Sequence, residues 1–71
     1  MKYIRDNCLS EVLPVLARNP GWGIEIIDNE TRKMIDTTKP DFIPSKYKVL
    51  EVRTNDMFIR YEVYVELKKE K

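Results

Sequence analysis

Between Val49 and Leu67 apolar and polar residues alternate in two runs that meet at Asn55 and Asp56. Alternation with a period of two predicts a β-hairpin, and an Asn-Asp pair at its centre predicts a two-residue turn. That turn fixes a register. Val52 faces Ile59, Leu50 faces Tyr61 and Lys48 faces Val63, with Val65 and Leu67 beyond them, all on the side turned to the core. The other side pairs Arg53 with Phe58, Glu51 with Arg60, Val49 with Glu62 and Tyr47 with Tyr64. A cation beside a ring, a charge pair and an aromatic pair are favourable cross-strand neighbours. A slip of one residue would turn the apolar set to water.

Upstream the period changes. Ile4, Cys8, Leu9, Val12, Leu13 and Leu16 recur at spacings of three and four, which predicts an amphipathic helix over residues 2–18. Pro14 lacks the N–H that would bond the Ser10 carbonyl. Two versions follow: a long helix kinked near Ser10 to Pro14, or a short one capped by Ser10 with Pro14 in its first turn. The unbroken apolar stripe favours the long, kinked version. Asn19, Pro20 and Gly21 end it.

Trp22, Ile24 and Ile26 then alternate with Gly23, Glu25 and Ile27, a strand pattern. Asp28 to Thr31 supply turn chemistry and Arg32 to Thr37 a return strand, giving a first hairpin. Its register is left open, because no glycine marks a left-handed position. Pro40 and Pro44 make residues 37–46 a long loop, anchored to the core by Phe42 and Ile43; Lys68 to Lys71 read as a solvated end. The expected fold is a single α+β domain over residues 1–71, an N-terminal helix on a four-stranded antiparallel sheet of two hairpins, in the order α-β-β-β-β.

Composition narrows the function more than it names it. A domain of 71 residues buries only roughly 60% of the surface its unfolded chain exposes, so its core is thin and association is a common remedy. Thirteen basic residues against twelve acidic ones leave no long-range field to draw in nucleic acid or an anionic membrane. A lone cysteine, Cys8, rules out an internal disulfide and points to a reducing compartment. With no stretch fit for a signal peptide or a membrane span, the expectation is a soluble, cytoplasmic protein.

The chain has no histidine. It therefore lacks an imidazole base, a Ser-His or Cys-His pair and any histidine-containing zinc site. Cys8 lies on the apolar stripe and reads as a small buried hydrophobe. Trp22 reads as core area where helix meets strand. Glu62 and Glu66 lie roughly 13 Å apart along one strand face, too far for a glycosidase pair. Asp28, Glu30 and Asp36 lack the glycine-turned loop of a calcium site and read as turn caps. With only Gly21 and Gly23, no nucleotide-cradling loop is present. No cofactor, metal or catalytic residue is expected.

What remains is surface. A single helix covers one face of a sheet, which leaves Tyr47, Val49, Phe58 and Tyr64, rimmed by Arg53 and Arg60 and joined by Ile27 and Met34, on the other. This predicts a non-enzymatic accessory or regulatory protein acting through protein–protein contact, as a homodimer through that outer face. The alternative is binding of single-stranded nucleic acid by the basic and aromatic cluster Arg32, Lys33, Lys39, Phe42, Lys46, Tyr47, Lys48 and Arg53. Asp36, Asp41 and Glu51 interrupt that cluster.

Overall fold

The computed structural model describes residues 7–68. Helix α1 spans Leu9–Leu16, and strands β1, β2 and β3 span Gly23–Asp28, Tyr47–Asn55 and Arg60–Leu67, with a single 3-10 turn over Pro44–Lys46 before β2. The strands form one mixed sheet in the order β1-β3-β2. β2 pairs antiparallel with β3, and β1 pairs parallel with β3. This overturns the four-stranded antiparallel sheet of two hairpins.

The first hairpin fails at its return limb. The Asp28 carboxylate accepts the N–H groups of Glu30 and Thr31 at 2.8 and 3.4 Å, and Arg32 turns the chain at a positive φ of 62°. The chain then touches β1 through Asp28 N–H to the Lys33 carbonyl, Ile35 N–H to the Ile26 carbonyl and one bridge between Ile27 and Met34. Next, Asp36 captures the N–H and hydroxyl of Thr38 at 3.0 and 2.6 Å. A side chain that satisfies its own local backbone competes with a ladder, so the limb stops there. β1 finds its full ladder on β3 instead. The long connection from Asn29 to Lys46 carries the chain past the β3 position to β2, and the closing hairpin then returns β3 into the gap, parallel to β1.

The closing hairpin forms, with a wider turn. Asn55 pairs with Arg60, so residues 56–59 make a four-residue loop in place of a two-residue one. Asn55 closes it by accepting the Phe58 N–H at 3.3 Å and donating to Glu62 at 3.3 Å. Ile59 sits at φ 53°, an unusual conformation for a β-branched residue. Val52 therefore faces Val63, Arg53 faces Glu62 and Glu51 faces Tyr64; a bulge at Leu50 then sets Val49 opposite Val65 and Lys48 opposite Glu66. The tight-turn register would have placed Lys48 against Val63 in the core. The wide turn and bulge instead match apolar to apolar and cation to anion.

α1 begins at Leu9, capped by Cys8 in an extended conformation, and Asn7 and Cys8 run along β2 by a bridge from Cys8 to Lys48 and a bond from Val49 N–H to the Asn7 carbonyl. Neither helix version holds: Ser10 lies inside the helix, and Pro14 interrupts its interior. Ile4 lies outside the described residues. Leu9, Val12 and Leu16 meet Ile26, Val49, Val63 and Val65 in the core, with Leu13, Ile24, Ile35, Phe42, Tyr47, Val52 and Tyr61 packed around them. Phe42 anchors the central loop by stacking near Tyr47 at 5.6 Å, whereas Ile43 stays 40% exposed and outside the core cluster. Trp22 packs on Tyr61 at 5.1 Å.

Candidate protein interface

The bulge at Leu50 decides which expected interface residues share a surface. A single extra residue turns every following side chain to the opposite face. Val49, expected on the outer face, is wholly buried, and Tyr47 packs against the core beside Phe42. Both belong to the α1 side of the sheet. Phe58 leaves the sheet altogether for the hairpin tip.

Tyr64, Arg53 and Arg60 do lie on the face opposite α1. β1 adds Glu25 and Ile27 there, since they pair with Glu62 and Tyr64, and the bridge to Ile27 brings Met34. One row across the face thus reads Met34, Ile27, Tyr64 and Glu51. Tyr64 is flanked by two guanidinium groups, Arg53 at 5.3 Å and Arg32 at 5.8 Å from its ring centroid. Such cation–ring contacts hold the long arginine side chains over the ring.

The neighbouring row is ionic. Arg60 pairs with Glu25 at 3.0 Å and lies 4.8 Å from the Phe58 ring centroid. Arg53 pairs with Glu51 at 2.9 Å, and that contact holds the Arg53 guanidinium further into its charged range. Because the Arg53–Glu51 pair is exposed, it adds little stability. Its effect is to fix where a charge sits.

The basic and aromatic set does not gather. Lys39 and Lys46 are exposed on the central loop, while Lys48 lies across the sheet from Glu66. Phe42, the ring proposed to stack a base, is engaged by Tyr47 and the core. Arg32 and Arg53 belong to the outer face around Tyr64. Met57, Phe58 and Ile59 instead form an exposed apolar hairpin tip; the tight-turn register places Phe58 on the outer face and Ile59 on the core face, and names Met57 on neither.

Cys8 stands in a different setting from the buried stripe expected for it. Its sulfur receives the Lys68 ammonium at 2.9 Å and the Ser10 hydroxyl at 3.3 Å, and the thiol reaches the Ser45 carbonyl at 3.2 Å. These contacts, that of Lys68 foremost, pull its pKa below the ordinary thiol value. Lys68 is sixty residues away in sequence, so spacing could not reveal the contact. A shallow depression lined by Ser45, Lys46, Leu67 and Lys68 adjoins it. Among the described residues no cluster of three or more acidic, cysteine or histidine side chains could hold a metal ion. No helix among them is long and apolar enough to cross a membrane. No protein-family model, curated protein or solved structure matches the chain.

Proposed function

We propose that this chain is a small, non-enzymatic accessory protein that works by binding another protein through the outer face of its sheet. The observation that carries this reading is the row Met34, Ile27 and Tyr64 between the guanidinium groups of Arg32 and Arg53. Among the described residues, α1 and the central loop cover the other face and leave this one to solvent. Tyrosine, arginine and methionine are enriched where proteins bind one another, and a tyrosine held rigid by its neighbours makes contact at little entropic cost.

Burying two such faces against each other would desolvate Glu25, Glu51, Glu62, Arg53 and Arg60 on both copies, which is costly unless every charge is re-paired. That weighs against a face-to-face homodimer and favours a dissimilar partner. A photo-crosslinking residue in place of Ile27 is expected to give a discrete adduct in cells. The same residue in place of Glu11, exposed on α1, serves as control. Tyr64→Ala should remove the Ile27 adduct while leaving the fold intact by circular dichroism. Adducts no stronger than the control would overturn the reading.

A further inference from the structure

The loop that closes the β2–β3 hairpin carries three consecutive apolar residues, Met57, Phe58 and Ile59, which are 84, 61 and 52% exposed. A run of apolar side chains open to water costs solubility and marks contact with something apolar. Ile59 adds a second sign. It holds a φ of 53°, where glycine or asparagine would fit, although about half of its side chain meets solvent. Strain kept at a position that packing does not require points to function.

Area and charge select what the loop meets. Three side chains fall well short of the roughly 800 Å² that each partner brings to a stable protein interface. A bilayer needs no matching pocket, because lipid closes around a small convex wedge and binding scales with the apolar area inserted. The Gly23 N–H donates to the Ile59 carbonyl at 3.1 Å, which sets Trp22 at the base of the loop, its ring against Tyr61 at 5.1 Å. Indole rings favour the boundary between hydrocarbon and water. Asp56 and Arg60 bracket the apolar residues, and Arg60 is already answered by Glu25 at 3.0 Å. Asp56 therefore sets the sign of the rim, which disfavours an anionic surface and permits a zwitterionic one.

We propose that this loop inserts into the interface of a zwitterionic membrane, with Met57, Phe58 and Ile59 entering the acyl boundary and Trp22, Asp56 and Arg60 staying among the headgroups. The loop joins the ends of β2 and β3 beside the start of β1, so the strands lead away from the membrane surface. The outer face stays open to a partner protein, and the inference neither needs that contact nor competes with it. With three side chains inserted, attachment is weak and reversible.

Trp22, the only tryptophan in the chain, reports insertion directly. Titration with phosphatidylcholine vesicles is expected to shift its emission to the blue, and flotation should recover protein with the lipid. Phe58→Asp and Met57→Asp should each lower the partition at least roughly tenfold. Leu67→Asp, at a side chain as exposed as Phe58 but at the other end of β3, should leave it unchanged. So should Tyr64→Ala, which tests the outer face. Circular dichroism confirms that each variant folds. Replacing part of the phosphatidylcholine by phosphatidylserine should not strengthen binding, and added salt should not weaken it. A wild-type chain that stays off phosphatidylcholine vesicles overturns the proposal. So does partition that requires phosphatidylserine, or that survives both loop variants or falls equally with Leu67→Asp.

Discussion

Cys8 has three polar neighbours that its sequence context does not announce, and the Lys68 ammonium matters most among them. A cation favours the thiolate, so the group loses its proton at a lower pH than a free cysteine. The sign for stability follows. A depressed folded pKa adds stability above the unfolded thiol value and loses it as pH falls through the folded value. Alkylation by iodoacetamide across pH should therefore place the Cys8 midpoint below 9.0, and Lys68→Met should move it back toward that value. An unmoved midpoint would mean that the Lys68 contact does not govern the thiol. The same scale explains why Asn55 misleads. Its pairing with Asp56 reads as a two-residue turn, whereas its side chain closes a four-residue loop by bonding both Phe58 and Glu62.

Among the elements, the closing hairpin is legible as two strands but not as a registered pair. Alternation identifies Val63 and Val65 as core residues in either register, because a shift by an even number of residues keeps each face. It cannot reveal the bulge at Leu50, which moves Tyr47 and Val49 across the sheet. The loop holds Ile59 at a φ that favours glycine or asparagine and costs a β-branched residue about 1–2 kcal/mol. Ile59→Asn, at a side chain that is half exposed, is expected to raise the melting temperature by roughly 4–8 °C in a domain this small. A fall on thermal denaturation would show that the side chain contributes more than its backbone strain costs. The first hairpin departs from its sequence pattern for the opposite reason. Its turn chemistry is real, but Asp36 turns the return limb away after Ile35.

At the scale of the molecule, seven of the described residues carry the buried core, drawn from α1 and all three strands. A chain of this length has a total stability of about 4–10 kcal/mol, so one central position is a large share of it. Val65, wholly buried on the middle strand, should cost about 2–3 kcal/mol on replacement by alanine. Leu67, two residues on along the same strand and mostly exposed, should cost less than about 0.5 kcal/mol. Urea unfolding of the two variants checks the contrast; equal losses would contradict the placement of the core. The outer face depends on the same arrangement. Because β3 lies in the middle, Tyr64 gathers Ile27 and Met34 from one side and Arg53 from the other.

The sequence by itself determined the helical stripe from Leu9 to Leu16, the strand character of the three extended segments, and the absence of any histidine-based chemistry. These follow from local periodicity and composition, which neighbours along the chain specify. Only the tertiary structure decided that β1 pairs parallel with β3, that Leu50 bulges and that Lys68 lies against Cys8. Each is a contact between residues far apart in the chain, chosen by which apolar faces can be buried together rather than by any local preference.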